Sequence, residues 1–271
     1  MALACEISSP PPPVEPRTPP AADPNEQAIV PTAVEPIPEP PPEPPWPTAA
    51  GLAYREVVLN ATDPEQPLPM IVALHGLGDA PDNFRHVFDD FPEPVRVILP
   101  RGLDPVPDGG WSWFPVRARN PDVEALSSGI AHASDRIAEG IRELSQSRPT
   151  VGKPIVTGFS QGGILTFTLA VHHPDVVGHA VAVAGWLPPP LWPKGKGDGP
   201  RPPLHALHGT ADVAVPFEPT KAAIDELEAL GLPASLTVYD GVGHAIPPSM
   251  RRDLHDRLGD AVHEQSKKAK P

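Results

Sequence analysis

The segment Gly158-Phe159-Ser160-Gln161-Gly162-Gly163 joins two stretches of different character. Before it, Pro154–Phe159 (PIVTGF) is a short apolar run of strand type. After it, Gly162–His173 is long enough for a helix and is stopped by Pro174. A serine with glycine two residues before and two after, at a strand-to-helix junction, implies a turn too tight for side chains around the hydroxyl. Such a unit belongs in a sheet whose strands alternate with helices.

The chain beyond Tyr54 repeats this alternation. Arg55–Asn60, Met70–Leu74, Val95–Leu99, His179–Ala184, Leu204–Leu207 and Ser235–Tyr239 read as further strands. Leu126–Leu144 carries apolar residues at 126, 130, 133, 137, 141 and 144, the spacing of one helical face. Lys221–Leu230 reads as a helix ended by Gly231, and Pro248–Val262 as the last one. Continuous apolar strands imply an α/β fold with a mostly parallel central sheet and helices on both faces. Ligands of such sheets bind beyond the carboxyl ends of the strands, so chemistry is expected there. No internal repeat is visible.

Proline divides the chain. Of 271 residues 44 are proline, and they crowd the stretch from Ser9 to Pro47. Proline lacks a backbone donor and holds an extended path, so this stretch is expected not to fold alone. The expected organisation is a Pro-rich acidic tail or tether at 1–48, a folded domain at 49–265 and a basic C-terminal tail at 266–271. The net charge is −13, and about half of it falls in the N-terminal tail, which argues against a nucleic-acid partner. No apolar run approaches the ~18 residues of a membrane span. Cys5 is the only cysteine, so no intrachain disulfide can form. Met1–Cys5 before a proline-rich spacer resembles the end of a bacterial lipoprotein signal, with Cys5 as a lipid anchor, although the preceding charged and apolar regions are missing. The compartment therefore stays open between cytoplasm and cell envelope.

A serine nucleophile at 160 needs a base, and the base needs an orienting acid. For a G-x-S-x-G elbow the chain order is serine, then aspartate or glutamate, then histidine. One strand runs into Leu207-His208-Gly209-Thr210-Ala211-Asp212, and the last into Tyr239-Asp240-Gly241-Val242-Gly243-His244. Asp212 and His244 are the favoured acid and base. Asp240 is the alternative acid and His208 the alternative base. The oxyanion hole is expected from the backbone N–H groups of Gln161, at a helix start, and of Leu77 in His75-Gly76-Leu77-Gly78-Asp79. His75 is read as a brace for that loop.

Together HGLGD, GFSQGG, HGTADVAVP and YDGVGH resemble the phospholipase/carboxylesterase family, which includes the acyl-protein thioesterases, over roughly Pro69 to Ile246. The resemblance implies the α/β-hydrolase fold, a triad of Ser160, Asp212 and His244, and hydrolysis of short to medium acyl esters or thioesters without a cofactor. It also implies an acyl pocket bordered by Trp113, Trp186 and Leu187. Thioesterase members usually carry an aspartate after the Trp-Phe or Trp-Tyr pair, where this chain has Pro115. That departure favours a general esterase over an acyl-protein thioesterase.

The expected partner is thus a small-molecule ester. The pairs His172/His173 and His205/His208 lack the companions of a metal site, so no metal is expected. A serine peptidase on the same fold, or a non-catalytic binding protein that uses the Pro-rich tail, are the rival readings. The interval Gly185–Pro203, rich in proline and glycine, is too short and too broken for a lid domain, with Leu187, Leu191 and Trp192 expected along one wall of the site.

Overall fold

A computed structural model describes residues 45–107, 109–115 and 121–268. The chain divides between Glu43 and Pro44, and all of the described residues lie in the second unit. Cys5 and most of the proline-rich stretch lie outside the described residues.

Eight strands form one sheet: β1 (Thr48–Ala49), β2 (Leu52–Leu59), β3 (Met70–Leu74), β4 (Val95–Pro100), then, after a two-stranded hairpin of β5 (Asp104–Pro105) and β6 (Trp111–Ser112), β7 (Ile155–Phe159), β8 (His179–Val183), β9 (Leu204–Gly209) and β10 (Ala234–Tyr239). The order across the main sheet is β1-β2-β4-β3-β7-β8-β9-β10. From β4 to β10 every pairing is parallel, and β2 runs antiparallel to both β1 and β4. This is the α/β-hydrolase architecture. Strand β3 is buried along its whole length because helices cover both of its faces.

One face carries α2 (Val123–Ser147), α3 (Gln161–His172) and α4 (Phe217–Ala229), whose Ile130, Phe167 and Leu227 join a single core. The other carries α1 (Pro81–Phe84), with the 3-10 turn Arg85–Phe88, and α5 (Pro248–Lys268), through Phe84, Phe88, Leu254 and Leu258. In α2 the buried positions include 126, 130, 133, 137, 141 and 144, the spacing read from the sequence. Helix α3 is buried nearly all round, because it lies between the sheet and α2.

The domain begins earlier than expected. Tyr54 N–H donates to Pro47 O, and Thr48–Ala49 pairs with β2, so a division at residue 48 cuts a strand. Trp46 is held as well: the Arg55 guanidinium lies 4.1 Å and that of Arg101 5.4 Å from its ring centroid, and Arg101 lies 4.1 Å from the ring of Trp111. At the other end α5 runs on to Lys268, so residues 266–268 continue the helix.

Residues 185–203 form no helical cap. Their one ordered turn is the 3-10 segment Pro189–Leu191, which packs on α2, and Trp192 Nε1 donates to Leu187 O at 2.8 Å. No helix among the described residues is long and apolar enough to cross a membrane.

Candidate active site

Strand β7 delivers Ser160 into a left-handed conformation, φ 57° and ψ −116°, before α3 begins at Gln161. The turn closes against the end of β3. A Cβ at Gly162 would stand 2.0 Å from Leu74 O, and one at Gly158 would stand 2.5 Å from the Gly162 carbonyl carbon. Glycine is therefore required at both positions by contact with backbone that cannot yield. Ser160 N–H is held by Val183 O at 3.0 Å.

Two loops reach the serine from strand ends further along the chain. Ser160 Oγ and His244 Nε2 lie 2.9 Å apart, and His244 Nδ1 lies 2.7 Å from Asp212 Oδ2. Asp212 Oδ1 accepts from Ala214 N–H and Val215 N–H, each at 2.9 Å, which fixes the carboxylate plane. The Asp212 side chain is fully buried while the imidazole keeps 23% of its surface exposed. Phe159 supports that ring from the side, with centroids 4.7 Å apart.

The alternatives lie elsewhere. Asp240 is exposed and accepts from Thr210 Oγ1 at 3.0 Å. His208 is fully buried and does not reach Ser160; its Nε2 donates to Val215 O at 2.9 Å and sits 3.5 Å from Asp212 Oδ2. Burial lowers the pKa of His208, keeping it neutral beside the carboxylate. The other paired histidines also have non-metal partners: His172 meets Leu191 O, His173 meets Asp135, and His205 meets Ser235 and Thr237.

His75 braces its loop in the expected way. Its Nε2 accepts from Gly102 N–H at 3.1 Å, so the proton is on Nδ1, which donates to Gly76 O at 2.7 Å. Burial depresses its pKa, in keeping with that neutral tautomer. Beyond it, Gly78 N–H donates to Trp111 O and Trp111 N–H donates to Asp79 O, both at 2.9 Å. The β5–β6 hairpin thereby clamps the loop that carries Leu77, which is 42% exposed.

Two of the residues expected in the acyl pocket are instead core. Trp113 and Leu187 are 1% and 0% exposed, and Trp186 is half-buried against the same core. Trp113 works from behind the site: Nε1 donates to His75 O at 2.9 Å and its ring lies 5.0 Å from the imidazole of His75. Leu191 and Trp192 likewise pack on that core.

The sequence reading also missed the side chain of Gln161. Its Oε1 accepts from Trp113 N–H at 3.0 Å and its Nε2 donates to Phe114 O at 3.0 Å, so one amide ties the turn at Ser160 to the segment after β6. A glutamine at the start of a mostly apolar helix was the available signal. Two clefts are bordered by the chain neighbours of Ser160, one by Gln161 and the other by Phe159. A cleft of about 490 Å³ is lined by Leu77, Gly78, Val106, Ser112, Phe114 and Gln161. A second, of about 360 Å³, is lined by Asn83, Phe84, Val87, Phe159, His244 and Ile246.

The sequence profile of the phospholipase/carboxylesterase family matches residues 53–260. The chain belongs to that family. Family membership makes it a hydrolase of carboxylic esters. A probable carboxylesterase of Arabidopsis thaliana, described as SOBER1-like, is 32% identical over 203 residues, covering 65% of this chain and 72% of that protein. Acyl-protein thioesterase 1 of Gibberella zeae is 24% identical over 200 residues, covering 66% and 84%. Among solved structures, esterase PE8 superposes with a TM-score of 0.67 at 21% identity, over 78% of this chain and 99% of that one, a likeness of fold.

Proposed function

We propose that this family member is a serine carboxylesterase that hydrolyses short to medium acyl esters through an acyl-enzyme formed on Ser160. The unbroken line from Ser160 Oγ through His244 to buried Asp212 carries the proposal.

Ser160 Oγ attacks the acyl carbon as His244 Nε2 takes its proton. The developing imidazolium is stabilised by the carboxylate of Asp212, whose other oxygen is already held by two backbone amides. The oxyanion turns toward the N–H groups of Gln161 and Leu77. When the tetrahedral adduct collapses, the C–O bond to the alcohol breaks and His244 returns the proton to the departing oxygen. Water then attacks the acyl carbon, again losing a proton to His244, and Ser160 is released with the free acid.

The acyl group is assigned to the cleft beside Leu77, Phe114 and Gln161, which is open and of modest volume. This replaces the pocket of Trp113, Trp186 and Leu187. Thioesters share the acyl carbon and the same two steps, and thioesterases stand among the relatives. A fluorophosphonate probe followed by peptide mapping tests the nucleophile, and a panel of ethyl esters and thioesters of rising chain length tests the substrate class. Labelling at Ser160 that Ser160→Ala abolishes is the expected result. A chain that binds esters but neither labels nor turns over is a binding protein.

A further inference from the structure

We propose that the cleft between α1 and the His244 loop is the leaving-group site, and that it takes an uncharged, apolar alcohol of about one ring. The inference rests on the Ser160–His244 reading and adds to it the identity of the second half of the substrate.

Direction comes from the proton. Only the leaving oxygen must come within reach of His244 Nε2 when the adduct collapses, so the alcohol extends from the acyl carbon on the imidazole side. The acyl chain then occupies the opposite side, where the cleft adjoins Gln161 and Leu77. The two clefts have separate walls. Only the cleft of about 360 Å³ includes His244, and Phe159 serves both as its wall and as the support of the imidazole.

Its lining sets the chemistry. Phe84, Val87, Phe159 and Ile246 present hydrocarbon. The polar groups at the rim are engaged already. Asp79 Oδ1 accepts from Ala80 N–H and Asn83 Nδ2, His86 pairs with Asp89, and Arg251 pairs with Asp90. Arg251 is paired with Asp90, and the Asp79 carboxylate at the rim disfavours an anionic leaving group. A neutral ring on a short linker removes apolar wall from water without leaving a charge unpaired.

Val87 is the position to vary. It is half-buried in the 3-10 turn after α1, and its backbone oxygen, which any substitution keeps, accepts from His255 Nε2 at 2.7 Å. The experiment compares kcat/KM for 2-phenylethyl butyrate and ethyl butyrate, whose leaving oxygens are similarly basic. This constant spans only the steps through acylation, in which the alcohol is present. Val87→Trp narrows the cleft and should lower the phenylethyl-to-ethyl ratio on the order of tenfold. Val87→Ala widens it and should raise the ratio, so one well-folded variant suffices. The ratio of ethyl hexanoate to ethyl butyrate should stay with the wild type in both. An unchanged alcohol ratio in chains that still label with fluorophosphonate overturns the assignment, as does a shift in the acyl ratio instead. A wild-type chain that fails to label at Ser160 removes the underlying serine-esterase reading, and this site with it.

Discussion

His244 Nδ1 stands 2.7 Å from Asp212 Oδ2, on a carboxylate with no exposed surface. A buried acceptor at that distance takes the Nδ1 proton, which leaves Nε2 free to accept from Ser160. Asp212→Asn should therefore lower kcat by about 10⁴ with little change in fold. Asp240→Asn, at an exposed turn, should stay within a few-fold of wild type. Steady-state rates for the two variants check the choice of acid, and a reversed order would reject it.

Gly162→Ala tests the packing behind Ser160. The added methyl would lie 2.0 Å from Leu74 O, on a central strand with no room to move. Destabilisation on the order of 3 kcal/mol, or failure to fold, is expected. Urea unfolding gives the number. A stable, active Gly162→Ala chain would mean that β3 and the elbow lie further apart than described.

Acid should weaken the fold through histidines held neutral. His205 has its pKa lowered to about 4, first by burial and then by the Arg257 guanidinium. Its folded value lies below the unfolded value of ~6.5, so the unfolded chain binds the proton first as pH falls. Stability is thus unaffected above pH 6.5 and is lost between about 6.5 and 4, by on the order of 1 kcal/mol once partial exposure is allowed for. His205→Asn should flatten the fall of Tm across that window. Parallel curves would remove His205 as a source of acid sensitivity.

A chain starting at residue 45 and one starting at residue 49 should differ in stability. The shorter chain loses the Trp46 stack on Arg55 and Arg101 and the Tyr54–Pro47 hydrogen bond. A cost of about 1–2 kcal/mol is expected, a few degrees in Tm. Because Arg101 also stacks on Trp111, which clamps Gly78 and Asp79, the shorter chain should lose activity before it unfolds. Equal Tm and equal kcat would show that residues 45–48 contribute nothing.

The candidate site was legible in the sequence as far as strand ends dictate position. Ser160, Asp212 and His244 each follow an apolar strand, so strand ends alone bring them to one edge. The pocket was not legible, because Trp113 and Leu187 read the same whether they face a ligand or a core. What decides is the direction taken after β6 and β8, and that depends on contacts such as Gln161 with Trp113 and Phe114. Trp46 escaped notice for a similar reason. It stands in a proline run, and its cationic partners lie on strands and loops remote in sequence.

The left-handed backbone of Ser160 bears on what happens when catalysis is no longer selected. Any side chain with a Cβ keeps the strain of φ 57°, and only glycine releases it. Ser160→Ala and Ser160→Gly would both be inert, yet the glycine form should be the more stable by about 1–2 kcal/mol. A lineage drifting without need of turnover would thus settle on glycine at this position rather than alanine. Descendants that keep Asp212 and His244 beside a glycine in place of the serine would be recognisable as retired enzymes, with the proposed acid and base preserved as fossils of the reaction.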